Sequence, residues 1–451
     1  MEDMGYIELQ LEEIQDLLKQ NKLNELAEKL THVHPADLAA QLEELEAVEA
    51  VAVFRLLPIE QASEVLDETG AETRPILVEK IDDERLADLL DVLPMDDAAE
   101  FLFDLPDPIS DRLIQLMEPE EAADVQALLS YDDETAGRLM NRDVAALRRS
   151  WTVNDTLDHL RRLQDAETLH YLYVVDRFGK LIGVVPLRTL ILSPAEATID
   201  EIMSPEVFAV NVSADQEELA ELVSRYDYFA IPVVDDRERL LGIVTVDDVL
   251  DVFEEEVTED IQRLGGSEPL EQPYFSASIF RVIQKRIGWL LLLFVAAIFT
   301  ARVVQNFEAT LQAVVALGFF MPLVTGTGGN AGSQTVATII RAITLDEVRL
   351  SNLGKAWQRE AAAAVTLGLV MGVCGFGVTA LLTQDIQVAW VVSLTLPIVV
   401  TWAVTVATIV PILANQFKID PTVISGPMIT TLVDASALLI YFLLAQAILG
   451  L

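Results

Sequence analysis

The chain has 451 residues, with 30 Lys and Arg against 72 Asp and Glu, a formal net charge of −42. From Ser276 onward nine basic residues face seven acidic ones, so nearly all of the excess acidity lies earlier, where 21 basic and 65 acidic residues remain. Acidity on this scale excludes nucleic acid, whose phosphates need Lys and Arg, and disfavours anionic headgroups; it serves solubility or recruits cations that screen carboxylate repulsion.

Residues 1–137 read as helices only. The first ten residues are acidic and have no apolar h-region, so no cleavable signal peptide is expected. A short pattern of Pro, any residue, an acid, any residue and Ala recurs at Pro35, Pro58, Pro94 and Pro119, at intervals of 23 to 36 residues. Pro suits the first helical turn, and an acid two residues on complements the helix dipole. Apolar residues follow at helical spacing, as in Leu86, Leu89, Leu90 and Leu93. Short helices repeated in this way predict an all-α superhelical domain, with an ordinary helical bundle as the alternative.

Residues 138–245 hold a second repeat. Val174-Val175-Asp176 and Leu181 to Val185 recur 59 residues later as Val233-Val234-Asp235 and Leu240 to Val244. Each copy reads strand, turn, strand, helix, after a segment containing Met140 or Met203 and an amphipathic helix. The pair resembles tandem CBS domains, an α+β arrangement. That resemblance implies an adenine-nucleotide site with a Ser/Thr-x-x-Asp motif, matched by Thr245 and Asp248 in the second copy; the first copy has Pro186 to Thr189 and lacks the acid.

Residues 246–275 form a connecting helix and linker. Val246 to Leu264 reads as one acidic helix, ended by Gly265-Gly266. Asp247, Asp251 and Glu255 lie at i, i+4 and i+8, with Asp248 and Glu259 close by. Like charges at this spacing destabilise a helix, so either a cation or solvent is expected on that face.

Residues 276–451 form an α-helical membrane domain. Five apolar runs, near 287–304, 311–326, 361–383, 390–413 and 427–450, approach the ~20 residues needed to span a bilayer. The second runs into a polar, Gly-rich break from Gly326 to Thr335, tolerated at membrane depth only beside protein or water. Lys285, Arg286, Arg341, Arg349, Lys355, Arg359 and Lys418 place the acidic half in the cytosol and the C-terminus outside, with Arg302 as the exception. Asp434 lies inside the fifth run, where a carboxylate is expensive and faces a pathway or partner; Thr430 and Thr431 share its face, and Thr401, Thr405 and Thr408 form a polar strip on the fourth run. The lone Cys374 allows no intrachain disulfide. Hydroxyl and carboxylate oxygens suit a hard cation, and a two-fold dimer doubles the single Asp434 charge.

An acidic helical domain, two CBS repeats, an acidic connecting helix and five spans per subunit together resemble the MgtE family of magnesium channels and transporters. The residues that carry the resemblance are His34 to Ala39, Thr245 to Val249 running on to Glu254-Glu255-Glu256, Gly329 to Gln334, and Asp420-Pro421 followed by Gly426-Pro427, Thr430-Thr431 and Asp434. The resemblance implies a homodimer in the cell membrane with its pore on the two-fold axis. Asp434 would hold a hydrated Mg²⁺, with Asn330, Thr430 and Thr431 lining the pore. The connecting helix would act as a plug, shut by cytosolic Mg²⁺ among Asp91, Asp96, Asp97, Asp247, Asp248, Asp251, Glu255 and Glu259. Gly426 stands where family members can carry Asn. Two other readings remain open: an ion-coupled secondary transporter of Mg²⁺ or another divalent cation, and an adenine-nucleotide-sensing CBS protein anchored in a membrane. No nucleophile–base pair, P-loop or zinc-ligand spacing points to an enzyme.

Overall fold

The computed structural model describes every residue except 1–8, 71, 163–167, 271–273, 275–276 and 346. The start of the acidic N-terminal stretch and the boundary at Ser276 thus lie outside the described residues, whereas every candidate site residue lies within them. The chain forms two units, Met1–Glu256 and Val257–Leu451.

The first unit begins with helices of 7 to 11 residues, from Leu11–Lys19 to Pro119–Leu129. They stack in two rows. Pro35–Glu44 packs on Ile59–Asp67, then Asp83–Leu90, then Asp107–Ile114; in the other row Ala47–Phe54 packs on Arg74–Lys80, and Met95–Phe103 on Pro119–Leu129. The recurring prolines start these helices, but in two ways. Pro35 and Pro119 occupy the first helical position, whereas Pro58 and Pro94 stand one residue earlier as N-caps. Carbonyls at helix ends lack intrahelical donors, and the neighbouring repeat supplies them. Ser63 donates to Leu89 O at 2.9 Å, Arg85 to Leu57 O at 3.0 Å, and Arg55 to Lys80 O at 2.6 Å.

The CBS repeats form two matching three-stranded sheets. β1 (Ala146–Arg148) runs parallel to β2 (Tyr171–Val175), which is antiparallel to β3 (Leu181–Pro186). β4 (Val210–Asn211), β5 (Ala230–Val234) and β6 (Leu240–Thr245) repeat this order. Even the register is duplicated: Val174 pairs with Gly183 and Val233 with Gly242, each followed by a bulge. The Met-containing segments cross between copies. Asn141 exchanges backbone hydrogen bonds with Ile243, and Ser204 with Val184. A Cβ on Gly242 would lie 3.0 Å from Met140 Sδ, and one on Gly183 would lie 2.7 Å from Met203 Sδ, so each glycine is the seat for the other copy's methionine.

The acidic helix spans Val246–Leu264. The second unit then holds long apolar helices at Ile279–Asn306, Ala316–Thr344, Leu353–Thr383, Ile386–Gln416 and Gly426–Leu449. Four of these regions have the length and hydropathy of a membrane span. The remaining one, Ala316–Thr344, has 29 residues but carries the Gly-rich stretch. Here the expected break is corrected: the helix continues through Gly326–Thr335 without interruption. Its glycines serve packing instead. A Cβ on Gly328 would meet Val399 at 2.6 Å, and one on Gly332 would meet Ile429 at 2.8 Å. Between the third and fourth apolar helices, Pro397 leaves the Ser393 carbonyl without its helical donor. That carbonyl approaches Gly372 so closely that a Cβ would lie 2.6 Å from it, and a Cβ on Gly368 would lie 2.6 Å from Pro397 Cα.

Overpacking a tight contact costs about 1–3 kcal/mol. Gly368→Leu and Gly372→Leu should therefore each lower the melting temperature of the detergent-solubilised protein. Gly377→Leu, where a Cβ meets nothing within 4 Å, should leave it unchanged. Equal melting curves for all three would contradict the packing.

Candidate ion site and cytosolic acidic cluster

Asp434 lies half-buried on the fifth apolar helix, two turns from its start. Ser425 caps that helix by accepting from Met428 N. Thr430 and Thr431 both donate to Pro427 O, at 2.8 and 2.9 Å. With their protons committed, these hydroxyls offer lone pairs only. No hydrogen bond from the described residues engages the Asp434 carboxylate. A cation's bound waters point their hydrogens outward, and Mg²⁺ keeps several such waters. A carboxylate beside two acceptor hydroxyls therefore fits a hydrated ion. Asn330 is exposed on the second apolar helix, next to Gly329, whose missing Cβ lets Thr430 Cγ2 approach to 3.1 Å of where it would stand. The glycine stretch thus packs the second apolar helix directly on Thr430. On the fourth apolar helix Thr401, Thr405 and Thr408 donate to carbonyls four residues back, so the predicted polar strip is largely satisfied within its own helix. Trp402 adds a bond the sequence did not signal, donating to Ser436 Oγ at 2.8 Å, two residues from Asp434.

In the first unit the predicted acids separate into different environments. Asp91 accepts from Glu118 N at 3.0 and 3.1 Å, capping the helix that follows, and burial pushes its carboxyl up. Asp96 is buried and accepts from Asn141 Nδ2 at 3.0 Å, joining the helical domain to the CBS pair. Asp97 lines a groove with His34, Glu60, Glu64, Asp67 and Glu68. Asp248 accepts from Thr245 N at 3.0 Å and from its hydroxyl at 2.5 Å, so the predicted nucleotide pair caps its own helix. Asp247 is exposed.

Asp251 and Glu255 come together with two acids that the sequence reading missed, Asp67 and Glu100. Burial, then the charges of Glu100 and Glu256, pushes Glu255 up to about 7. Burial, then Glu100, pushes Asp67 up to about 6, against the lowering effect of Arg74. Glu100 is raised by burial and then by the charge of Asp104, and Asp251 by burial and then by the charge of Glu68. Glu100, Asp251 and Glu255 are exposed, so they line a crowded, solvent-facing surface rather than a dry core. A signal for Glu100 existed: it interrupts the apolar run Ala98-Ala99-Glu100-Phe101-Leu102. Asp67 follows the buried Val65 and Leu66 in the same manner. Among the described residues, no three His, Cys, Asp or Glu side chains converge tightly enough to hold a bare ion.

Comparisons with known proteins match the chain part by part. Residues 33–134 match the MgtE intracellular N domain, residues 136–196 and 199–255 match the CBS domain, and residues 321–444 match the MgtE divalent cation transporter family. The chain is 37% identical to the magnesium transporter MgtE of Thermus thermophilus over 97% of its length and 98% of that protein. It is 35% identical to the magnesium transporter MgtE of Enterococcus faecalis over 70% of its length and 69% of that protein. The cytosolic domain of the Mg²⁺ channel MgtE, crystallised with ATP, superposes with a TM-score of 0.52 at 40% identity, covering 54% of this chain and 100% of that one. The soluble part of a magnesium transporter gives 0.51 at 30% identity, over 55% and 99%. The chain belongs to the MgtE family of magnesium transporters.

Proposed function

We propose that this protein is a homodimeric Mg²⁺ channel of the cell membrane, with five spans per subunit, its N-terminal half in the cytosol and its C-terminus outside. The observation that carries the pore is Asp434, an unengaged carboxylate on an apolar helix beside two acceptor hydroxyls. Two subunits supply two such carboxylates against the double charge of the ion. Asn330, Thr430 and Thr431 line the path and accept from the ion's waters.

Gating rests on the cytosolic acids. Asp67, Glu100, Asp251 and Glu255 repel one another when ionised. A hydrated Mg²⁺ between them favours the closed arrangement, provided it binds that arrangement better than the open one. Asp91, Asp97, Asp247 and Asp248 extend the negative surface that attracts it, whereas the buried Asp96 bonds to Asn141 and Glu259 pairs with Arg263. An adenine nucleotide at the second CBS repeat is a further part of the reading, supported by the ATP-bound relative; Asp248 would exchange its capping bond from Thr245 for the ribose.

Mg²⁺ flux into liposomes tests the pore. A charge-assisted contact is worth about 1.5–3 kcal/mol, or roughly 10–100-fold, and Asp434→Ala should lower flux by that factor. Flux that persists in this variant removes Asp434 from the path, and flux that requires a proton or sodium gradient favours the ion-coupled carrier. Replacing Asp247, Asp251 and Glu255 together by their amides should raise the cytosolic Mg²⁺ needed for inhibition; an unchanged midpoint would dismiss them as the sensor.

Raised carboxyl pKa values also set a pH dependence. Protonation of Asp67 and Glu255 stabilises the metal-free arrangement fully below about pH 4, the range of their unfolded values. That contribution is lost as pH rises through about 6 for Asp67 and about 7 for Glu255. Mg²⁺ must displace these protons, so its binding should tighten from pH 5.5 to pH 8. Calorimetry in buffers of different ionisation enthalpy should find protons released at pH 6.5 and almost none at pH 8.5. Glu255→Gln should reduce the release, and a release independent of pH would contradict the assignment.

A further inference from the structure

The acidic helix carries one basic residue, Arg263, in its last turn. Within the second unit its guanidinium bridges two carboxylates: Nη1 reaches Asp420 Oδ2 at 2.5 Å, and Nη2 pairs with Glu259. Asp420 is itself fixed. It accepts from Thr422 N at 2.8 Å and from Thr422 Oγ1 at 2.6 Å, capping the short turn Pro421–Val423. That turn leads directly to Ser425, the N-cap of the helix that bears Asp434. The backbone beyond Arg263 closes on the same place. Gly266 has φ +76°, and a Cβ there would lie 3.2 Å from Pro427 Cγ and 3.4 Å from Ser425 Oγ. A Cβ on Gly426 would lie 3.8 Å from Leu264 O. The end of the acidic helix is thus seated on the first turn of the Asp434 helix. Pro427, which touches Gly266, also provides the carbonyl that takes the protons of Thr430 and Thr431.

We propose that Arg263 is a positioning residue for the ion path: its ion pair with Asp420 clamps the acidic helix to the first turn of the Asp434 helix and contributes a metal-independent share to the closed arrangement, which Mg²⁺ completes. The proposal rests on the channel reading above. Two features separate the pair from the acidic sensor. It brings its own cation, so it does not wait for Mg²⁺, and it acts where the fifth apolar helix begins rather than on the helical domain. Without Arg263, Glu259 and Asp420 would face each other as like charges, and more cytosolic Mg²⁺ would be needed to reach the same closure. Asp420 needs no metal for its place in the fold, because Thr422 already caps it.

The test is Mg²⁺ flux in liposomes reconstituted with the full chain, measured against cytosolic Mg²⁺ for the wild type, Arg263→Gln, Arg263→Lys, Asp420→Asn and the Arg263→Gln/Asp420→Asn double variant. Arg263→Gln should raise the Mg²⁺ concentration for half-inhibition by about tenfold, the scale of one charge-assisted bond, while flux at low Mg²⁺ stays at the wild-type level. Arg263→Lys should restore most of the shift, and the double variant should shift no further than the larger single one. Should Arg263→Gln fail to fold, Asp420→Asn breaks the same pair from the other side and must show the same shift. Half-inhibition unchanged in both single variants, or fully additive shifts in the double variant, overturns the clamp. Loss of flux at low Mg²⁺ without a shift in half-inhibition does the same, since it would assign the pair to folding alone. Wild-type protein that passes no Mg²⁺ overturns the channel reading itself, a result visible before any variant is compared.

Discussion

Where the helical domain meets the acidic helix, Asp67, Glu100, Asp251 and Glu255 crowd together with Arg74 and Arg138 as the neighbouring cations. Both arginines have other work. Arg74 binds Asp104 at 3.1 Å and the carbonyls of Asp67 and Thr69, and Arg138 is buried, donating to Ala99 O while stacked over Phe103. Their charges offset the repulsion only in part, so protons or, on the reading proposed above, a small hard cation take up the rest. A fold that depends on an external cation reports that cation's concentration by mass action. The joint between the helical and CBS domains is less dependent on metal, because Asp96 with Asn141 and Arg138 with Ala99 already satisfy one another. Their bonds keep the domains associated while the acidic face changes its occupant.

The membrane unit has the opposite economy. Charge is scarce there, and backbone polar groups must find partners within the protein. Threonine hydroxyls return to their own helices, Tyr441 donates to Leu317 O at 3.0 Å, and the carbonyl of Ser393, which Pro397 leaves without a donor, lies against Gly372. Against this satisfied background Asp434 stands out. Among the described residues none hydrogen-bonds to it, and a carboxylate left so at membrane depth is costly, which is the physical support for the path proposed above.

Much of this was legible in the sequence because repetition and periodicity are local signals. The 59-residue repeat became two sheets with the same register, and the acidic helix from Val246 to Leu264 appeared at its expected limits. The Gly-rich stretch was misread for an instructive reason. Glycine both breaks helices and permits close helix packing, and composition cannot separate the two; only the neighbours Val399, Thr430 and Ile429 decide it. Asp67 and Glu100 escaped because their significance depends on partners more than a hundred residues away. Asp91, Asp96 and Asp248 were visible as acids, but their present tasks as caps and as a domain joint depend on backbone geometry that no spacing rule reveals.

The acidic helix ties these parts into one mechanism. Glu255 and Arg263 lie eight residues apart on a single helix, roughly 12 Å at 1.5 Å per residue. The two ends answer to different cations. Glu255 lies among acids that need an external charge, whereas Arg263 brings its own to Asp420. Closure then has a fixed component at one end and a metal-dependent component at the other. The fixed component alone cannot hold the pore shut, or the protein could never open. The metal-dependent component alone would leave the Asp434 helix free to drift whenever an ion exchanged. On the channel reading proposed above, the closed arrangement divides between the two, keeping its geometry at Pro427 while its population follows cytosolic Mg²⁺.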